Sequence, residues 1–377
     1  MRGNSAASNT IEIRTPFLKE MAVVRGIMRT HSIALVLALL SLGAAAGVAQ
    51  EDAPPKPDPP RAGEKTSQPQ EPQIQVEKQE KIPTYRKNVT VVTVQFNVKD
   101  KHGELIPNLP KDHFELLEDG RPQNIKYFSA VTDQPLTLGL LIDSSKSMER
   151  TLPEEQVVAG GFLQKVLTPK DLAFVISFDV NVDLLQDLTN DTHLLRAGLG
   201  KAHINTNTIG MGPMGNPGPV PTAQNMKGTL LFDAVYLASD DVLGRQSGRK
   251  AMVILTDGDD VGSKMHLKDA IEAAQKADVV SYVLLITDPM YPSNYGDMNK
   301  LCEQTGGRVI EVRNPNKLDK AFAEIAAELR SQYSIGFSSD NPKNDGKFRR
   351  LEVKSRDGYK VQARKGYYPP NEMTASQ

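Results

Sequence analysis

Leu141-Ile142-Asp143-Ser144-Ser145-Lys146-Ser147 is the stretch that decides how this chain is read. An apolar run, Leu136 to Ile142, leads into it from Pro135 and has the character of a buried strand. The run ends on an aspartate, and two serines follow at alternate positions. Open α/β sheets bind ligands at the carboxyl ends of their strands. A carboxylate and two hydroxyls gathered at such an end are hard oxygen donors, the kind that magnesium takes while keeping other positions for water or a partner's oxygen.

Two later segments complete the pattern. Lys250 to Thr256 is a second apolar strand ending in Thr256-Asp257-Gly258, and Thr229 stands at an expected helix start in Gly228-Thr229-Leu230-Leu231-Phe232-Asp233. Together the three segments resemble the metal-ion-dependent adhesion site of the von Willebrand factor type A family: Asp-x-Ser-x-Ser, then a Thr, then an Asp in a Thr-Asp-Gly-type turn. The matching positions are Asp143, Ser145, Ser147, Thr229 and Asp257. The resemblance implies a doubly wound, mostly parallel α/β fold with Mg2+ or Mn2+ at the top of the sheet. It also implies serines and threonine on the ion, aspartates acting partly through water, and a partner protein's Asp or Glu in the open position. Such a site is built for binding rather than turnover.

The 377 residues can hold one large domain and a small one, and an apolar share of 39% suffices for a core. With a formal net charge of −1 and no basic run interleaved with aromatics, nucleic acid is not an expected partner. Met28-Arg29-Thr30-His31, the apolar Ile33 to Leu42 and the small residues Ala44 to Ala49 have the form of a secretory signal peptide. Cleavage is expected near Ala49, leaving a mildly acidic mature chain, without a membrane span, in the periplasm or outside the cell. Met28 is a candidate start, with Met1 and Met21 the alternatives. The single cysteine, Cys302, excludes an internal disulfide and a cysteine-based zinc site, and at the end of an expected helix it is a small buried residue.

The expected layout follows. Residues 1–49 are the N-terminal extension and signal peptide, and 50–86 a Pro-rich disordered linker. Residues 87–132 form a β unit with a strand at Val89 to Val98, a second strand and turn over Phe114 to Pro122 and a third strand at Ile125 to Phe128. Residues 133–331 are the von Willebrand factor A-like domain. Its strands are Leu136–Ile142, Leu172–Phe178, Ala251–Leu255, Val279–Ile286 and Arg308–Val312, with a short edge strand Val182–Gln186. Its helices are Glu154–Val166, Thr192–Lys201, Leu230–Leu243, Leu267–Lys276 and Leu318–Leu329. Residues 332–369 hold the strands Tyr333–Phe337, Phe348–Lys354 and Tyr359–Arg364, joined by hairpins at Asn344-Asp345-Gly346 and Asp357-Gly358. They are expected to pack with 87–132; residues 370–377 are a tail. Val-x-Asp-x-x-Gly, Asp112-His113-Phe114, Glu118-Asp119-Gly120 and the terminal Arg364-Lys365-Gly366-Tyr367-Tyr368 resemble the exported bacterial family known as the acidobacterial von Willebrand factor A-related domain.

Rival readings have weaker support. A haloacid-dehalogenase-type phosphatase also begins with a strand ending in Asp. It would use Asp143 as nucleophile and Asp257, Asp259 and Asp260 around magnesium, but its general acid belongs at 145, which is Ser145. The six histidines are scattered, and neither a Gly-x-Ser-x-Gly nor a phosphate-binding glycine loop occurs. An envelope assembly protein with a vestigial site is the other alternative. Asp259 and Asp260 are expected to cap the helix after their turn. The Gly/Pro/Asn-rich His203 to Lys227 must be a surface loop at the rim of the site.

Overall fold

The computed structural model describes residues 91–130, 134–204, 228–287, 293–341, 343 and 345–370. The expected signal peptide and Pro-rich linker, nearly all of the loop before Thr229 and residues 371–377 lie outside these residues. The described residues belong to one compact unit beginning at Val89.

In chain order the elements are β1 Val92–Lys99, β2 Phe114–Glu118, β3 Arg121–Gln123, β4 Ile125–Ser129, β5 Leu136–Asp143, α1 Leu152–Val166, β6 Leu172–Phe178, β7 Val182–Thr189, α2 Thr192–Leu199 and α3 Leu231–Leu237. There follow β8 Arg249–Thr256, α4 Leu267–Lys276, β9 Val279–Ile286, α5 Tyr295–Thr305, β10 Val309–Val312, α6 Leu318–Arg330, β11 Tyr333–Phe337, β12 Arg349–Ser355, β13 Lys360–Ala363 and β14 Gly366–Tyr367.

The central sheet has the order β10-β9-β8-β5-β6-β7, parallel throughout except for the antiparallel edge strand β7. Every residue of β5 and β9 is buried, which is why these strands are apolar without alternation. Leu138, Leu140, Ile142, Val175, Val253 and Leu284 pack against α1, α2 and α6. The intervening Leu141, Phe174, Ile176, Met252 and Val283 are equally buried and face the other way, as period two requires. Because β5 comes first in the chain and sits between β8 and β6, the winding reverses at its carboxyl end. That end is the topological switch point, the place where open α/β sheets bind ligands.

The flanks build two further four-stranded sheets, β13-β1-β11-β4 and β14-β12-β2-β3. They share a core in which Phe96 stacks on Tyr333 at 5.2 Å and meets Phe114 edge-on at 5.1 Å. The Tyr333 hydroxyl donates to the Ile106 carbonyl at 2.7 Å and accepts from the Leu109 amide at 2.9 Å, so its polar tip is satisfied inside an apolar cluster.

Two local expectations are corrected. Tyr333–Phe337 and Arg349–Ser355 are not a hairpin, and neither are Arg349–Ser355 and Lys360–Ala363: consecutive strands lie in different sheets. Both edges of β11 are taken, one by β1 and the other by β4, so the chain must cross over. The helix expected over Leu230–Leu243 is α-helical only to Leu237, widens into a π turn over Ala238–Val242 and closes with a 3-10 turn at Leu243–Arg245. Cys302 is fully buried in α5, which ends at Gly306 in the left-handed region at φ 94°.

Candidate metal centre

Asp143 is the last residue of β5, and its side chain has no exposure to solvent. One carboxylate oxygen accepts the Ser145 amide at 2.9 Å and the other accepts the Thr256 hydroxyl at 2.7 Å. The first bond folds the chain back tightly after the strand. It brings the Ser145 and Ser147 hydroxyls to 3.0 Å from each other. The second bond ties the ends of β5 and β8 together, and the Thr256 hydroxyl in turn accepts the Gly258 amide at 3.0 Å. Gly258 has φ 90°, and a Cβ there would lie 3.0 Å from the Leu285 side chain, so the Thr-Asp-Gly turn requires glycine on two counts. The Asp257 carboxylate accepts the Asp259 amide at 3.1 Å.

Thr229 reaches the same end of the sheet by a different route. Its amide and carbonyl both bond to Val261 at 3.0 Å, and the Leu230 amide bonds to the Asp179 carbonyl at 2.8 Å. The Thr229 segment is thus pinned between the loop after β8 and the loop after β6. Asp260 strengthens the link by accepting the Phe232 amide at 3.1 Å and the Ser263 hydroxyl at 2.5 Å. Asp260 therefore caps the start of α3, not of the following helix as expected. Asp233 accepts the amides of Lys264 and Met265 and fastens the far end of that loop. Of the five expected donors, Asp143, Ser145 and Ser147 form one hydrogen-bonded turn. Asp257 follows Thr256, whose hydroxyl Asp143 binds, and among the described residues Thr229 is positioned through backbone bonds.

The electrostatics are one-sided. Burial pushes the Asp143 carboxyl up to about 7; its bonds to Ser145 and Thr256 oppose the rise, and the charge of Asp257 adds to it. Asp259 is also raised, by burial and by Asp257. A third acid joins them that the sequence analysis did not pick out. Glu155, in the first turn of α1, has no solvent exposure, and among the described residues neither carboxylate oxygen has a hydrogen-bond partner, the neighbouring Thr151 hydroxyl donating to the Met148 carbonyl at 3.3 Å instead. Burial pushes it up to about 8; the Thr151 hydroxyl opposes this, and the charges of Asp143 and Asp257 add to it. Among the described residues no Lys or Arg forms an ion pair with Asp143, Asp257 or Glu155. The signal for Glu155 was in its phase: it shares a helix face with Leu152, Ala159 and Phe162, all buried. The signal for Thr256 was its place at the end of a buried strand next to Asp143's own.

Hydroxyls and carboxylates gathered around a buried aspartate, short of positive charge, are a donor set that suits a hard divalent cation. Among the described residues no cluster of three or more His, Cys, Asp or Glu has metal-holding geometry, so any such centre here is of the hydroxyl-rich kind.

No family profile matches the sequence, and no curated protein matches it. Similar solved structures include a von Willebrand factor type A protein from Catenulispora acidiphila, 13% identical over 77% of this chain and 76% of that one, with a TM-score of 0.42. Another is proximal thread matrix protein 1 from the mussel byssus, 12% identical over 63% of this chain, with a TM-score of 0.43; the match spans 50% of the mussel protein. A third is the von Willebrand factor domain of the type V pili tip protein Mfa5 from Porphyromonas gingivalis, 12% identical over 52% of this chain and 96% of that one, with a TM-score of 0.37.

Proposed function

We propose that the chain is an exported, divalent-metal-dependent binding module of the von Willebrand factor A type, not an enzyme. Asp143, Ser145, Ser147, Thr229 and Asp257 would hold Mg2+ or Mn2+, and an Asp or Glu of a partner protein would complete the ion's shell. The observation that carries this reading is the Asp143 carboxylate. It is fully buried at the switch point, bonded to Ser145 and Thr256, and adds to the negative charge of Asp257 with no cation to offset it. A bound cation would supply the missing positive charge and a residual attraction for an incoming carboxylate. The protein's own part is to hold the hydroxyls of Ser145 and Ser147 together, to fix Thr229 through Val261, and to exclude water around Asp143.

The phosphatase reading has less support, because its general acid is missing from the expected position. The position where a general acid would stand is Ser145, whose hydroxyl is bonded to that of Ser147. Export rests on the signal-peptide pattern, and the resemblance to the exported bacterial family adds to it.

The decisive experiment is calorimetric titration of Mg2+ and Mn2+ into the wild type and Asp143→Ala, with circular dichroism to check that both are folded. Saturable binding by the wild type that Asp143→Ala loses is the expected result. Equal heats in the two proteins would leave the vestigial-site alternative as the better reading.

A further inference from the structure

Thr229 and Val261 exchange both of their backbone bonds, at 3.0 Å each, in an isolated antiparallel bridge. Residues paired in this way send their side chains to the same face, with Cβ atoms about 4.5 to 5.5 Å apart. Thr229 is 7% exposed and Val261 48%. The valine therefore stands beside the threonine of the metal centre and is the more open of the two to solvent. A Cβ on the next residue, Gly262 at φ 97°, would lie 3.6 Å from the Leu230 side chain, so the turn that presents Val261 rests on the residue after Thr229.

A second apolar side chain reaches the same end of the sheet from another element. A Cβ on Gly258 would lie 3.3 Å from both the amide nitrogen and the carbonyl oxygen of Asn294. The backbone that opens α5 is thus packed on the Thr-Asp-Gly turn that carries Asp257. The Asn294 side chain fixes that start by accepting the Asp297 amide at 3.2 Å. Tyr295 comes next in the chain and is 45% exposed. Apolar side chains exposed singly are ordinary on a protein surface. These two come from separate segments, and each segment is packed against a turn or bridge that carries one of the expected metal donors.

We propose that Val261 and Tyr295 form an apolar rim of the metal centre, and that this rim selects a partner segment whose Asp or Glu has a large aliphatic or aromatic neighbour. The proposal rests on the metal-binding reading of the same centre. An ion with an open position attracts any exposed carboxylate and does not by itself tell one acidic partner from another. Specificity is a difference of affinities, and it needs contacts that differ between partners. Once a partner's carboxylate is on the ion, the residues flanking it are brought against whatever stands beside Thr229 and Asp257. Apolar groups there favour an apolar neighbour. They disfavour a polar one, which would lose water without gaining a hydrogen bond. Tyrosine also offers a wide contact face at a small cost in conformational freedom.

The test uses the whole chain in excess Mg2+ and three end-capped peptides: Gly-Leu-Asp-Leu-Gly, Gly-Ser-Asp-Ser-Gly and Gly-Leu-Asn-Leu-Gly. Binding is read by ligand-observed saturation-transfer NMR, which suits weak ligands. The leucine-flanked acidic peptide should bind at least about tenfold more tightly than the serine-flanked one, from partial burial of its apolar side chains. Replacing its aspartate by asparagine, or adding chelator, should abolish binding. Tyr295→Ser should narrow the preference about fivefold and leave the heat of Mg2+ binding unchanged. Val261→Thr keeps the branched shape and the backbone pairing, and should narrow the preference about threefold. The peptide comparison on the wild type needs no variant to fold. Mg2+ binding with equal affinity for the two acidic peptides, or with affinity for neither, overturns the rim and leaves the metal centre standing. So does a preference that neither folded variant narrows. A wild type that takes up no Mg2+ overturns both readings.

Discussion

Glu155→Gln should make the metal-free protein more stable, and by an amount that grows with pH. The Glu155 carboxyl titrates at about 8 in the folded chain against an ordinary value of 4.5. Between those values the folded state holds a proton that the unfolded chain has released. Stability from this group is therefore fully present below pH 4.5 and is lost as pH rises through 8. Each tenfold in the equilibrium is about 1.4 kcal/mol, so the loss reaches roughly 4 kcal/mol at pH 8 and stays below about 1 kcal/mol at pH 5. Glutamine has the same shape and buries the same number of polar atoms, but it cannot ionise. Urea unfolding in chelator at pH 5 and pH 8 measures the difference. The variant should match the wild type at pH 5 and exceed it by roughly 4 kcal/mol at pH 8. A variant that equals the wild type at pH 8, or falls below it, would refute the claim that Glu155 is dry and unpartnered. Asp143, raised to about 7, adds a loss of the same sign over a lower window, so the variant keeps part of the pH slope. Under the proposed function, added Mg2+ should stabilise the wild type at pH 8, because a cation at the centre favours the ionised form of both acids.

Deleting residues from Gln332 onward removes β11 and β13, the two strands that flank β1, and should expose the Phe96–Phe114 cluster; unchanged solubility and melting temperature would contradict this. Phe96→Ala should cost about 3 to 5 kcal/mol in urea unfolding, as a large buried aromatic does. Gly258→Ala should cost about 1 to 3 kcal/mol from the left-handed backbone alone and weaken Mg2+ binding by displacing the Asp257 turn, read by the same calorimetry. No turnover of small phosphate esters is expected with Mg2+; turnover that disappears in Asp143→Asn would favour the phosphatase reading over the binding one.

What could be read from the sequence was whatever a local signal determines. Leu172–Phe178, Val279–Ile286, Leu267–Lys276 and Tyr333–Phe337 have the bounds that their apolar runs and flanking turns indicate. The misread features depend on distant partners. Asn344-Asp345-Gly346 carries a strong turn signal, yet which strands pair is set by β1 and β4, which already occupy both edges of β11. The apolar period of Leu230 to Leu243 continues through Val242, so the widening of the backbone at Ala238 leaves no trace in it. Glu155 follows another acid, Glu154, in a first helical turn, where acids are ordinary partners of the helix dipole. Only the packing of α1 shows that one of the two points inward.

The energetics bear on the choice between a working centre and a vestigial one. Asp143 ends a strand that is otherwise apolar, and Glu155 occupies a core-facing position between Leu152 and Ala159. At either position a neutral residue of similar size would relieve the fold, since replacing buried charge with well-packed neutral groups is often neutral or stabilising. Asp257 sits on a third element and raises the cost of ionising both. Costs of this kind usually fall at separate places when they have separate causes. Here they come from β5, α1 and the loop after β8, and they act on one another at the switch point. A chain with no use for a cation could lose any one of the three acids and gain stability. One that binds a cation recovers all three costs together, because a single positive charge favours the ionised form at every one of them. The vestigial reading therefore predicts that neutralising Glu155 costs nothing in any assay. The binding reading predicts that the stability gained by Glu155→Gln comes with weaker Mg2+ binding, and calorimetry on that one variant separates them.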